Sequence, residues 1–152
     1  RRGENFVTRK ITKTLAEIKN GKRTSSLELG NMDAKRDWGH AKDYVEAMWL
    51  MMQNSIPEDF VVSTGKQITV KKFLEIVCAK LDIKIKWKGS GFNEKGYWNN
   101  KCIVSVNSRY FRPNEVNSLK GNSNKIFNKL GFKPKITLDD LIEDMIQDQI
   151  NS

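Results

Sequence analysis

Leu29-Gly30-Asn31-Met32-Asp33-Ala34-Lys35-Arg36-Asp37-Trp38-Gly39-His40-Ala41-Lys42-Asp43-Tyr44-Val45-Glu46-Ala47-Met48-Trp49 is the stretch on which the reading of this chain turns. It opens with a glycine-containing turn, passes through Arg36-Asp37-Trp38 and enters a segment of helical period. Ala41, Tyr44, Val45, Met48, Trp49 and Met52 recur every three or four residues, which predicts a helix over 40–53. Arg36 beside Trp38 suits phosphate, because the planar guanidinium makes bidentate, charge-assisted bonds to its oxygens. The residues alone also allow a plainer arrangement, with Arg36 paired to Asp37 or Asp43 on the surface and Trp38 packed in the core.

Outward from this stretch the periodicity is legible on both sides. Val7, Ile11, Leu15 and Ile18 predict a helix over 6–19 that stops before Gly21, and a stripe from Val70 to Leu81 predicts another over 69–81. Residues 122–130 read as a short helix stopped by Gly131. The last helix, 138–150, has Thr137 as its N-cap, with Asp139 and Asp140 at the positive end of its dipole. Strand candidates are the apolar run 59–63, the segment 83–87 and residues 102–106. In the second of these, Ile83, Ile85 and Trp87 alternate with Lys84, Lys86 and Lys88, giving one wet, basic face. The expected class is mixed α/β, several amphipathic helices with short strands. So few strands do not make a full doubly wound sheet, so the chain reads as part of a larger layer.

Two motifs fail on their surroundings. Gly89, Gly91 and Gly96 follow a strand, but a dinucleotide fingerprint needs a helix opening directly at the glycines. Residues 92–100 carry no helical stripe and read as a flexible surface loop. Tyr97 and Lys101 have Tyr-x-x-x-Lys spacing, whose chemistry requires both side chains one turn apart on a rigid helix. Gly96, Asn99 and Asn100 argue against a helix there.

Composition narrows the rest. Cys78 and Cys102 are the only cysteines of the 152 residues and accompany a single histidine, so no metal site and no disulfide framework is expected. Cys78 lies on an apolar stripe and is expected in the core. No apolar run approaches the ~18–20 residues of a membrane span, and the absence of an initiator Met reads as a truncated start. The expected setting is cytoplasmic and reducing. The formal charge of +9 raises nucleic acid as a partner. The lysines, however, are dispersed and alternate with apolar positions, and the aromatics read as mostly on core stripes. A smaller anion such as a diphosphate also fits. A second candidate cluster is Arg109-Tyr110-Phe111-Arg112-Pro113-Asn114-Glu115-Val116, where Pro113 biases Arg112 toward extended backbone. Its plainer reading is a turn with a local ion pair.

The long run resembles the signature segment of GDP-mannose 4,6-dehydratases, which are extended short-chain dehydrogenase/reductase enzymes. Residues 1–11, the run 110–116 and Lys129-Leu130-Gly131-Phe132-Lys133-Pro134 are similar to further family segments in the same order. The resemblance implies that residues 1–152 are the sugar-nucleotide-binding carboxy-terminal portion, with the NADP-binding Rossmann domain absent. The implied reaction is an internal redox cycle. NADP takes hydride from C4 of mannose, water leaves across C5–C6 and the hydride returns to C6. The family's catalytic Thr, Glu, Tyr and Lys all lie upstream, so no catalytic residue is expected here and the portion should be inactive alone. By the same resemblance Arg36 and Arg112 hold the diphosphate, and Glu115 meets the ribose or the base edge. Asn5, Val7, Lys10, Gly30 and Asn31 line the nucleoside pocket, and Arg2 lies on the NADP side. GDP-mannose is the implied ligand and a dimer or tetramer the implied assembly. Met32, Asn107, Asn117, Asn122 and Gln67-Ile68 depart from the family's usual residues. Another sugar-nucleotide dehydratase or epimerase, a basic polyanion-binding module and a catalytically silent interaction subunit are the alternatives.

Overall fold

The apolar stripes anticipated above become the helices that build the core. A computed structural model describes residues 3–111 and 114–150, with only the backbone of Ile150. Helix α1 (Val7–Lys19), α3 (Val70–Lys80) and α5 (Leu138–Ile150) pack against one another. Ile11, Leu15, Phe73, Leu74, Val77 and Ile142 are fully enclosed between them. At about 25 cal/mol per Å² of apolar surface removed from water, such side chains supply most of the drive to fold. The start of α5 is closed reciprocally. The Thr137 hydroxyl accepts from the Asp140 amide at 3.2 Å, while the Asp140 carboxylate accepts from the Thr137 amide at 3.1 Å. Gly131 ends α4 (Asn124–Leu130) in the left-handed region at φ 69°, as the sequence suggested. That helix begins two residues later than expected, because the Asn122 side chain accepts from the Asn124 amide and forms a turn.

One face of the helical layer rests on a four-stranded sheet of order β1-β6-β5-β4. Its members are β1 (Leu27–Leu29), β4 (Lys86–Lys88), β5 (Lys95–Trp98) and β6 (Lys101–Val106). β1 runs parallel to β6, with Leu27 opposite Val104, and the other pairings are antiparallel. A separate two-stranded ribbon joins β2 (Lys35–Arg36) to β3 (Ile68–Thr69) in antiparallel register.

Several expectations are corrected. Residues 92–100 are not a loose loop. They form a 3₁₀ turn, Gly91–Asn93, and strand β5, which returns into β6 through Asn99-Asn100 at φ 48° and 63°. Two consecutive left-handed asparagines are what a two-residue hairpin turn demands. Tyr97 therefore lies opposite Cys102 in a ladder and shares no helix with Lys101, as argued above. The strand expected over 83–87 pairs only at 86–88. Its first part is drawn to the end of α3, where the Ile83 amide donates to the Cys78 carbonyl at 2.8 Å. Lys84, Lys86 and Lys88 remain exposed as expected, and Lys88 lies opposite the exposed Lys95 in the ladder. Residues 59–63, expected as a strand, take no ladder partner among the described residues. The aromatics also divide differently. Phe6, Trp49, Phe92, Tyr110 and Phe127 are exposed. On α2 (Ala41–Gln53) the stripe of Val45, Met48, Trp49 and Met52 faces out, Met52 being 83% exposed.

Cys78 makes the core testable by pH. Burial, then Glu75, pushes its thiol up to about 12 from the ordinary 9.0. The folded chain thus holds a proton that the unfolded chain releases. Stability should be unaffected below about pH 9 and should fall between pH 9 and 12 by roughly 1.4 kcal/mol per unit. Urea midpoints across that range should drop more steeply for the parent chain than for Cys78→Ala. Parallel slopes would show that the thiol is not held neutral.

Candidate functional site

The ribbon β2–β3 is short, and the side chain of Arg36 fastens it to a segment far along the chain. Backbone bonds begin the join. The Lys35 amide donates to the Asn117 carbonyl at 2.7 Å, and the Leu119 amide donates to the Lys35 carbonyl at 3.1 Å. The guanidinium of Arg36 then spans the same seam. Nη1 donates to the carbonyls of Lys35 at 2.8 Å and Val116 at 2.7 Å, and Nη2 donates to Glu115 Oε1 at 2.7 Å. Both charged side chains are largely sheltered, with Arg36 22% and Glu115 19% exposed. Desolvation offsets much of the attraction in a sheltered pair, but removing either partner would leave the other charge uncompensated.

This join forms one wall of a cavity of about 330 Å³. The opposite wall is the start of α1, where Asn5, Phe6, Val7 and Lys10 line the opening. The Lys10 amide makes the first intrahelical bond, to the Phe6 carbonyl at 2.8 Å. The amides before it belong to the first turn, where a helix offers N–H groups and positive potential to an anion. Leu29, Gly30 and Asn31 make the floor, with Val70 and Tyr110 at the sides. Lys10 Nζ lies 3.6 Å from the centroid of the Tyr110 ring, a cation–π contact that fixes a flexible side chain. Gly30 is required by space, since a Cβ there would collide with the Tyr110 carbonyl.

The structure thus brings together Asn5, Val7, Lys10, Gly30, Asn31, Arg36 and Glu115, all singled out in the sequence. Arg2 and Arg112 lie outside the described residues. The surface pairing of Arg36 with Asp37 or Asp43 is not found. Asp37 instead accepts from the Thr64 amide at 3.1 Å, the Thr64 hydroxyl at 2.5 Å and the Gly65 amide at 2.9 Å. Asp43 is buried and accepts from the amides of Lys135 and Ile136 at 3.2 and 3.0 Å. Glu115 is in an ion pair, as its plainer reading had it, but with a partner far away in the chain. Trp38 packs on Phe73 with ring centroids 4.9 Å apart, as the plain reading held. Leu29, Val70 and Tyr110 also line the cavity and were not singled out as site residues in the sequence. For Tyr110 a signal existed, an aromatic two residues before an arginine in a proline-stiffened run. For Val70 there was none. Among the described residues no group of three or more His, Cys, Asp or Glu could hold a metal ion. No strand–glycine–helix turn receives a dinucleotide either, because Gly89 and Gly91 lead into a 3₁₀ turn and β5. Among the described residues no helix is long and apolar enough to cross a membrane.

This arrangement of helices on a mixed sheet is shared with solved nucleotide-sugar enzymes. A structure titled RMD from Pseudomonas aeruginosa complexed with NADPH superimposes with a TM-score of 0.80 at 16% identity, over 99% of this chain and 44% of that one. UDP-glucose 4-epimerase from Thermotoga maritima, with UDP-glucose, gives 0.69 at 19% identity, over 95% and 39%. The chain therefore has the fold of a portion of the Rossmann-type dehydratases and epimerases. The family model for GDP-mannose 4,6 dehydratase matches residues 1–145. Relatives of that name are 49% identical in Drosophila melanogaster, over 99% of this chain, and 48% identical in Homo sapiens, over 96%. The chain belongs to the GDP-mannose 4,6 dehydratase family. It spans 38% and 40% of the length of those two relatives.

Gly30→Ala tests the packing of the cavity. Both colliding groups are backbone, so relief requires the Tyr110 segment to move, at a cost of about 1–3 kcal/mol. Chemical denaturation should register that loss, and a variant as stable as the parent would show that the segments do not meet this closely.

Proposed function

We propose that this chain is the GDP-sugar-binding portion of a GDP-mannose 4,6-dehydratase. The observation that carries the reading is the cavity, which gathers a helix start with its lysine from residues 5–10 and a glycine and an arginine from residues 29–36. A diphosphate losing its hydration needs fixed cations and amides to replace it, and Arg36 with the first turn of α1 supplies them. Arg112, two residues beyond Tyr110, would add a second guanidinium. Asn5, Val7, Lys10 and the Gly30-Asn31 backbone would seat the guanosine, and the Tyr110 ring offers a face for stacking. Arg2 would contact NADP.

The rest of the enzyme is assigned elsewhere. NADP would supply hydride transfer when bound, and the glycine fingerprint and proton-handling groups for it are proposed to lie in a Rossmann domain outside residues 1–152. Two features support a portion that packs on something further. The α2 stripe of Val45, Met48, Trp49 and Met52 is exposed, and the apolar run 59–63 has no ladder partner among the described residues. Exposed apolar patches of this kind mark interaction surfaces. The whole enzyme is proposed to be a cytoplasmic homo-oligomer acting on GDP-mannose. The exposed edge of Lys84, Lys86, Lys88 and Lys95 favours a second reading, a polyanion-binding surface.

Calorimetric titration of the 152-residue chain distinguishes these. GDP should bind in preference to UDP, and Arg36→Ala should lose more than ~1 kcal/mol of GDP affinity while keeping most of its guanosine affinity. With NADP and GDP-mannose added, no 4-keto sugar should form. An Arg36→Ala titration identical to the parent's would make that residue purely structural. RNA binding that falls steeply with salt, with no response to GDP, would replace the reading by the second one.

A further inference from the structure

The pleat of the four-stranded sheet sorts its side chains onto two faces. Trp87 lies opposite Gly96 on the inner face, where Trp87 Nε1 donates to Glu75 of α3 at 3.1 Å. By alternation Lys86, Lys88, Lys95 and Tyr97 stand on the outer face, Lys86 opposite Tyr97 and Lys88 opposite Lys95. All three lysines are exposed. Lysines elsewhere are held by acids, Lys71 by Glu94, Lys80 by Glu143 and Lys129 by Glu58. Lys86, Lys88 and Lys95 have no acidic partner among the described residues. Lys88 Nζ lies instead 5.3 Å from the centroid of the Tyr97 ring. An acid on the same face, Glu28 of β1, is opposite Ser105, which is itself opposite Lys95, so it stands two strands or about 10 Å away.

Like charges directly opposite each other weaken a ladder. Protection of the open edge of β4 accounts for Lys86 and Lys88, since lysine discourages pairing with a further strand. It does not account for Lys95, because β5 is an interior strand. Uncompensated cations around an aromatic ring on an open face suit single-stranded nucleic acid, with lysines following the phosphates and the ring stacking on a base. We propose that the outer face of β4 and β5 is a second binding surface, separate from the cavity, for single-stranded nucleic acid. Lys86, Lys88 and Lys95 neutralise phosphates, and Tyr97 stacks on a base. None of these residues lines the cavity, so the surface goes beyond the GDP-sugar reading and does not depend on it. Where the second reading sets polyanion binding against GDP binding, this surface works beside an occupied cavity.

The test is titration of the 152-residue chain with single-stranded oligouridylate, with and without saturating GDP. Binding should be equal in both, and with three phosphates neutralised it should weaken roughly 20-fold between 50 and 200 mM salt. Lys86→Gln, Lys88→Gln and Lys95→Gln combined should remove most of that salt dependence. Lys125→Gln with Lys129→Gln, at the bridges to Glu58, should leave affinity and slope as they were. Tyr97→Leu should weaken oligouridylate by about fivefold or more and leave inorganic polyphosphate, which has no bases, unchanged. Lys95→Glu turns the like-charged pair into an opposite-charged one, so it should raise stability while weakening binding, which separates lost binding from unfolding. An equal loss in the Lys125 and Lys129 variant would reduce the effect to net charge and overturn the proposal. GDP displacing the oligonucleotide would place it in the cavity, with the same result. An oligouridylate affinity unchanged in Tyr97→Leu would also overturn it, leaving a surface for any polyanion. GDP affinity in the lysine variants should match the parent's. A parent that fails to bind GDP but keeps lysine-dependent oligouridylate binding removes the GDP-sugar reading and not this surface.

Discussion

One wall of the cavity is a seam bridged by a single guanidinium between segments 79 residues apart. β2 is two residues long and offers too few backbone groups to hold the 114–119 segment alone. Arg36 supplies the missing donors, taking the Val116 carbonyl and the Glu115 carboxylate from that segment and the Lys35 carbonyl from its own strand. Only a planar group with donors in fixed directions can serve three acceptors in this way, since an ammonium presents its protons from a single point.

The acids flanking Arg36 explain why it is available for this task. In sequence Asp37 and Asp43 are its obvious partners, and either would hold it at the surface. Each is instead saturated by N–H and O–H donors from a distant loop, Thr64 and Gly65 for one and Lys135 and Ile136 for the other. A buried carboxylate without such donors would be costly. The Asp37 charge is also felt nearby. It adds to burial in raising the Tyr44 phenol, which stays neutral against the Gly39 backbone. Asp37 and Asp43 thus shape loops, while Arg36 faces the cavity.

Legibility in the sequence followed the range of the interaction concerned. α1, α3 and α5 were readable because helical packing repeats every three or four residues and leaves a stripe, and Thr137 announced the start of α5. The hairpin of β5 and β6 was not, because Asn99-Asn100 is a turn signal only when the runs beside it are recognised as strands, and Lys95-Gly96-Tyr97-Trp98 does not alternate cleanly. Residues 59–63 carry strand propensity, but a ladder needs a neighbour, which no local pattern can supply. The cavity residues were recognised as a set from the long motif and its companions. The partner of Arg36 was beyond reach, because nothing in residues 36–43 points to position 115.

Net charge bears on the cavity less than its size suggests. The +9 of the chain resides mainly on lysines, several already held in surface bridges such as Lys125 and Lys129 with Glu58 and Lys135 with Glu46. Exposed charges farther from the cavity than about 8–10 Å are screened at physiological salt. They can raise the rate at which anions arrive without deciding which anion stays. Within the cavity the balance is local. Arg36 is offset by Glu115, and Lys10 is held over the Tyr110 ring. Any discrimination there rests on a few fixed groups at short range, which distant surface lysines do not reach.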